Sequence, residues 1–256
     1  MKKLTPFFVK RLLSLSLIAV FTVSCATRKE VVYFQNAKDF ETIVDTDTFT
    51  TKLKVNDILT ISLSTFDQEA TGPFNLYKTS DFGRSAPVDY LIDKDGMIDY
   101  PVLGKIKLGG LSIQQAKDLL KEKLADYLKD PIINIRLLNF RVTVLGSVNR
   151  PGTYNISGER ITILEALGQA GDLTIKGRRD NVLVIRDFKG TKVYTRIDLT
   201  NKESLNSPVY FLTQNDIVYV EPNRSAIVSS TLDNRTSIAI SIITTLITAG
   251  VLLLTR

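Results

Sequence analysis

The chain has 256 residues, with 33 Lys and Arg against 27 Asp and Glu, one cysteine, no histidine and a formal net charge of +6. The lack of histidine excludes imidazole metal sites, histidine-based triads and histidine general acid-base catalysis, and a lone cysteine forms no intramolecular disulfide. Four of the positive charges, Lys2, Lys3, Lys10 and Arg11, lie in a leader-like N-terminus; without them the charge is +2, with no basic stripe and no aromatic-basic interleaving, so a nucleic-acid partner is excluded as well.

Those basic residues precede an apolar run from Leu12 to Ser24 that ends at Cys25, with small Ser24 and Ala26 on either side. A basic n-region, an apolar h-region and a flanked cysteine form a lipoprotein signal, which predicts cleavage after residue 24 and acylation of Cys25. Thr22 stands where a strict lipobox has Leu, and the alternative is an ordinary secretory signal that happens to end in a cysteine. The mature chain, about 230 residues, suits two small domains.

The segment Leu53 to Leu63 has a turn at Asn56-Asp57 followed by an alternating β-branched strand. Tyr90-Leu91-Ile92 and Met97-Ile98-Asp99-Tyr100 flank Asp93-Lys94-Asp95-Gly96, whose Asp-Gly pair predicts a hairpin. Asp93 and Asp95 also suggest calcium, but an EF-hand loop needs further oxygen ligands and a downstream Glu that this segment lacks. Ser112-Ile113-Gln114-Gln115 is a capping box; Ile113, Ala116, Leu120, Leu124 and Tyr127 then recur at helical spacing until Asp130-Pro131. A second box, Thr162-Ile163-Leu164-Glu165, opens a short helix through Leu167, with Gly168 and Gly171 at its exit.

Strands are expected at Arg141 to Leu145, Thr153 to Ile156, Asn181 to Arg186, Lys192 to Ile197 and Ile217 to Val220, the first two joined by a type II turn at Pro151-Gly152. Gly104, Gly109 and Gly110 lack the Gly-Lys-Ser/Thr of a phosphate loop and are assigned to turns. Two echoes, Val102-Leu103-Gly104 with Val144-Leu145-Gly146 and Asn56-Asp57-Ile58 with Asn215-Asp216-Ile217, are too short to establish a duplication.

Ser237 to Leu254 carries no charge and is bracketed by Arg235 and Arg256. As a helix rising about 1.5 Å per residue it nearly spans a hydrocarbon core of ~30 Å; the alternative is a buried C-terminal core helix, since Ser and Thr dilute its apolarity. At about 100° per residue, Ser237, Ser241, Thr244, Thr245 and Thr248 share one arc, and Thr255 returns to it. Ile238, Ile242, Ile243, Leu246, Ile247, Leu253 and Leu254 stand opposite. These hydroxyl residues are pore-lining candidates, the alternative being a dry packing seam.

In this order the motifs resemble those of the Wza-like outer-membrane polysaccharide export lipoproteins. Leu53-Lys54-Val55-Asn56-Asp57-Ile58-Leu59, then Asp95-Gly96 and Pro101-Val102-Leu103-Gly104-Lys105-Ile106, is similar to the polysaccharide export domain. Val144 to Val148, Pro151 to Tyr154, Arg160 to Leu167 and Ala170 to Thr174 resemble the soluble-ligand-binding β-grasp domain, and Gly177 to Val182 and Asn215 to Val220 extend the match. The resemblance implies an α+β fold with an export domain (51–140) and a β-grasp, ubiquitin-like domain (141–222) in tandem. Before them stand a signal peptide (1–24) and a lipidated segment (25–50); after them come a linker (223–235) and a transmembrane helix (236–255). Longer relatives stack more than one β-grasp module, and this chain has room for one.

The same resemblance implies a non-enzymatic conduit without cofactor. Identical subunits would form a homo-oligomeric ring whose C-terminal helices cross the outer membrane, with the soluble domains in the periplasm. Capsular polysaccharide or exopolysaccharide would pass through it, driven by an inner-membrane co-polymerase or polymerase partner. The rival is a lipid-anchored periplasmic scaffold or glycan-binding protein that forms no pore. A carboxylate-pair glycosidase would need two acids in one cleft, and Asp93 and Glu165 are already explained by a turn and a cap. Arg178 and Arg179, beside Asp180, are candidates for contact with an anionic polymer, or else form a surface ion-pair cluster.

Overall fold

A computed structural model describes residues 31–38, 49–79, 85–188 and 190–231, and further along 238–239, 241–242, 244–246 and 248–250. The signal peptide, Cys25, Ser237 and Thr255 lie outside the described residues.

Two separate hydrophobic cores divide the chain. In the first, β1 (Ile58–Ser64) buries Leu59, Ile61 and Leu63 on one face, the period-2 pattern of a half-buried strand. The hairpin β2 (Tyr77–Thr79) and β3 (Ser85–Pro87) follows, then β4 (Asp89–Leu91), β5 (Met97–Tyr100) and β6 (Gly104–Lys107). Helix α1 (Ile113–Leu124) and β7 (Ile132–Leu137) complete the unit. β1 is the centre of an antiparallel sheet ordered β4-β1-β7. The predicted box at Ser112 forms in full: Gln115 N donates to the Ser112 hydroxyl and Ser112 N to the Gln115 side chain. Ile113, Ala116, Leu120 and Leu124 are buried, whereas Tyr127 is exposed and meets Phe74 edge-on at 5.8 Å.

The predicted hairpin between 90–92 and 97–100 is not formed. The turn itself is present, with Gly96 N donating to Asp93 O at 3.0 Å and Asp93 N to Met97 O at 2.9 Å. Beyond it the strands part: β4 pairs with β1, and β5 pairs forward with β6. The Gly96 carbonyl accepts from Leu108 N and Gly109 N, which draws the chain after the turn into the β5–β6 ribbon.

The second core contains β8 (Arg141–Gly146), β9 (Gly152–Asn155), β10 (Ile161–Thr162), α2 (Ile163–Gln169), β11 (Gly177–Phe188), β12 (Thr191–Ile197), β13 (Phe211–Leu212) and β14 (Ile217–Pro222). The main sheet runs β12-β11-β14-β8-β9; β14 and β8 are parallel and the other pairs antiparallel. Val142, Val144, Val218 and Val220 of the two parallel strands are fully buried, as strands deep in a sheet require. Ile163, Ala166 and Leu167 of α2 join this core, and α2 opens with the expected capping box. Gly146 (φ +89°) ends β8 against β14: a Cβ there would stand 2.1 Å from the Val220 carbonyl oxygen.

The expected type II turn at Pro151-Gly152 is also absent. Such a turn needs φ > 0 at its third residue; Gly152 is not among the positive-φ glycines and is the first residue of β9. Between β8 and β9 the chain instead runs through Val148, which bridges to Leu173.

Past the second core, Arg224–Thr231 forms α3 within the expected linker. Among the described residues no helix is long and apolar enough to cross a membrane. The described positions from 238 to 250 are helical, and all but Gly250 are exposed. The fold is thus a mixed α and β arrangement of two tandem units.

Candidate functional site

The two units meet through a pair of matching turns. Lys54 N donates to Asp57 Oδ2 at 2.8 Å and Asp57 N to Lys54 O at 3.1 Å, with Asn56 at φ +68°. In the second unit Thr213 N donates to Asp216 Oδ2 at 2.7 Å and Asp216 N to Thr213 O at 3.1 Å, with Asn215 at φ +64°. The Asn-Asp-Ile echo is therefore one structural device used twice: an Asn able to adopt a left-handed conformation, a buried Asp folded back onto the turn, and a strand starting at Ile58 or Ile217. The Val-Leu-Gly echo has no such counterpart, since Val102 (φ +66°) lies in the β5–β6 connection and Gly104 opens β6, whereas Val144 and Leu145 lie inside β8 and Gly146 ends it.

Asn139 fastens the turns together. Its Oδ1 accepts from Ile58 N at 2.9 Å and its Nδ2 donates to Asn56 O at 2.8 Å, while its carbonyl accepts from the Gln214 side chain. Gln214 Oε1 in turn accepts from Arg141 N at 2.8 Å. Lys54 Nζ crosses the junction to donate to Thr213 Oγ1 at 2.9 Å.

The two buried carboxylates differ in partners. Asp216 is fully buried and paired with Arg186, whose Nη2 stands 2.7 Å from Oδ2 and whose Nε reaches both oxygens at 3.0 and 3.1 Å. Asp57, 1% exposed, has its Oδ1 without a hydrogen-bond partner. Burial pushes its carboxyl up to about 6, against the weaker opposing effects of the Lys54 N–H and ammonium. Burial likewise lowers the Lys54 ammonium from its ordinary value.

A groove of about 690 Å³ opens beside this junction. Lys52, Lys54, Lys94 and Lys107 of the first unit and Lys192 of the second line it, against the carboxylates Asp95 and Asp187. Gly96, Gly109 and Gly110 contribute bare backbone to the wall, and the exposed ring of Phe188 stands at it. Sequence reading missed these lysines because they come from four separate segments, and only the β5–β6 ribbon and the junction bring them together. A second cavity of about 700 Å³ also lies between the units, where Phe49 stacks on Phe211 at 4.9 Å.

Of the residues singled out from sequence, Arg179 is buried. Its guanidinium donates to the carbonyls of Leu173, Thr174 and Gly177 and lies 5.2 Å from the Tyr33 ring, so it staples a loop and is unavailable to a passing polymer. Arg178 pairs with Asp180 at 2.8 Å and with Glu221 at 3.6 Å, the ion-pair alternative. Asp93 accepts from Asp95 N and Met97 N, and Glu165 from Thr162 N. Each thus serves its own turn or cap, in different units. Thr244 and Thr245 hydroxyls donate to Ser241 O and the Thr248 hydroxyl to Thr244 O, at 2.7 to 2.9 Å. Among the described residues no group of three or more His, Cys, Asp or Glu gathers as a metal site.

The N-terminal strap 31–38 lies on the second unit. Phe34 N donates to Leu199 O, Gln35 N to Thr200 O, and the Tyr33 hydroxyl to Asp172. Burial and the Asp172 carboxylate raise the Tyr33 hydroxyl above its usual range, which keeps it a donor. Nearby, Asn223 caps α3 through Ala226 N at 2.9 Å and ties its start to the 175–176 backbone. Entry and exit are therefore both fixed to the segment 172–179.

The model of the polysaccharide biosynthesis/export protein family matches residues 46–138, and that of the SLBB domain matches 140–220. The EPS I polysaccharide export outer membrane protein EpsA of Ralstonia nicotianae is 32% identical over 84 residues, covering 31% of this chain and 22% of that relative. The matched stretch thus spans about a fifth of the relative's length. With the two units folding over the matched stretches in that order, the chain carries a domain of the polysaccharide biosynthesis/export protein family followed by an SLBB domain.

Proposed function

We propose that this protein is an outer-membrane lipoprotein whose copies close into a ring and let capsular polysaccharide or exopolysaccharide leave the periplasm without chemical change. The observation that carries this reading is the shared point of entry and exit on the second unit. Cys25 precedes the strap so closely that, at about 3.3–3.6 Å per extended residue, a lipid there holds this end of the unit within about 20 Å of the bilayer. The uncharged segment 237–254 follows α3, which starts from the same end, and as a helix it would be close to membrane length. The printed name of the Ralstonia relative, an outer-membrane polysaccharide export protein, supports the same assignment.

Closure requires a head-to-tail contact that repeats by rotation. The hydroxyl face of Ser237, Ser241, Thr244, Thr245 and Thr248 would then line a wet, uncharged lumen, and the Ile and Leu face would meet lipid. Energy would come from an inner-membrane co-polymerase or polymerase. A second reading, a lipid-anchored scaffold with no pore, draws on the threonine hydroxyls that already donate to their own helix, as in a dry seam. Electron microscopy of the full-length protein in detergent, together with surface and periplasmic polysaccharide assays of a deletion strain, separates the two. Closed rings and polysaccharide trapped in the periplasm are expected; monomers at every concentration with export intact would refute the channel.

A further inference from the structure

We propose that the lysine-lined groove between the two units is a binding site for an acidic stretch of polysaccharide, its uronate carboxylates held by ammonium groups. This deepens the export reading by naming the substrate class, and it rests on that reading only for the polymer being a saccharide.

Charge is the first observation. Lys52, Lys94 and Lys107 are exposed and form no ion pair among the described residues. Lys192 is held 2.9 Å from Asp187, which leaves Asp95 as the other carboxylate facing the groove. Positive charge is thus in excess there, although the mature chain is nearly balanced. A concave wall of one sign concentrates counter-ions of the other.

Shape and chemistry narrow the ligand. The volume, about 690 Å³, is in the range of small-ligand sites. Asn139, Gln214 and Lys54 bolt the flanking turns together, so the groove is preformed. Gly109 packs so closely on Gly96 that a Cβ there would be 2.8 Å from the Gly96 Cα, so the wall stays bare backbone that a sugar ring can approach. Phe188, 62% exposed, offers an apolar face to the C–H side of such a ring. Among the described residues no arginine lines the groove. Ammonium groups act as point charges without the fixed fork of a guanidinium, which suits a polymer that must be held loosely and released. At Lys54 burial disfavours the charged form, and an arriving carboxylate favours it.

The test uses the full-length protein in detergent and fluorescence anisotropy with three labelled probes of matched length: oligogalacturonate, the neutral oligosaccharide maltoheptaose and oligoglutamate. Oligogalacturonate is expected to bind at low salt and to weaken at least tenfold at high salt. The double variant Lys52→Glu/Lys107→Glu, both positions exposed and outside the two cores, should weaken it at least tenfold. Lys121→Glu/Lys123→Glu on the exposed face of α1 should leave it unchanged. Circular dichroism of each variant reads folding separately. Equal binding of maltoheptaose, equal binding of oligoglutamate, or an undiminished affinity of a folded Lys52→Glu/Lys107→Glu protein would overturn the proposal. Loss of export on gene deletion without oligogalacturonate binding would refute the groove and leave the channel reading standing; binding with export intact after deletion would do the reverse.

Discussion

Asp57 and Asp216 offer a paired experiment, because the same turn places one carboxylate beside an arginine and leaves the other without one. Asp57 titrates near 6 in the folded protein against about 3.8 in an ordinary chain. Between those values the folded state holds a proton that the unfolded state has lost, so this group's contribution is greatest below about pH 4 and falls as pH rises through 6. At about 1.36 kcal/mol per pH unit, the displacement amounts to as much as ~3 kcal/mol.

In Asp57→Asn the side-chain oxygen still accepts from Lys54 N, and the new amide lacks a buried acceptor, at a cost of about 1–3 kcal/mol independent of pH. Relative to wild type, the variant should therefore gain up to about 3 kcal/mol between pH 4 and pH 7. Asp216→Asn removes the partner of a largely buried Arg186 and should cost about 3–5 kcal/mol at pH 7. Urea unfolding of the full-length protein in detergent, followed by circular dichroism at pH 4 and pH 7, measures both. Parallel pH profiles for wild type and Asp57→Asn, or equal losses for the two variants at pH 7, would refute the assignment of Asp57 as the buried carboxylate that favours its protonated form.

Gly146→Ala would place a Cβ against the Val220 carbonyl at φ +89°, and the combination of a left-handed residue and a forced backbone shift should cost more than about 3 kcal/mol, lowering the melting temperature by about 10 °C. An unchanged melting temperature would mean that β8 and β14 separate easily. Cys25→Ala should abolish fatty-acid labelling and release protein from the outer-membrane fraction; wild-type protein that takes up no label would remove the lipid from the account. Ser241→Cys and Thr248→Cys, tested with Cys25 acylated, should react with membrane-impermeant thiol reagents while Ile242→Cys and Leu246→Cys do not. Equal protection of all four would identify the stripe as a packing seam.

Local chemistry made parts of this protein readable from its residues. Both capping boxes were legible because Ser112 with Gln115, and Thr162 with Glu165, need only one another and three residues of backbone. The strands of the second unit were legible from alternation and β-branching. Pairing was not. The turn at 93–96 forms as its residues dictate, yet which strands flank it was decided by the Gly96 carbonyl and the two cores, a competition among distant segments.

The same limit separated the two echoes: both are three residues long, and only burial of Asp57 and Asp216 at a shared junction marks one as a repeated device. Arg179 read as a surface charge beside Asp180, but the strap bearing Tyr33, more than a hundred residues earlier, helps to bury it. The lysine groove left no trace in sequence, because lysines at 52, 54, 94, 107 and 192 become neighbours only when the β5–β6 ribbon and the end of β11 close on the matched turns. Sequence determined the local elements, whose hydrogen bonds close within a few residues; tertiary structure decided partners, burial and charge clustering, which depend on contacts that no local pattern encodes.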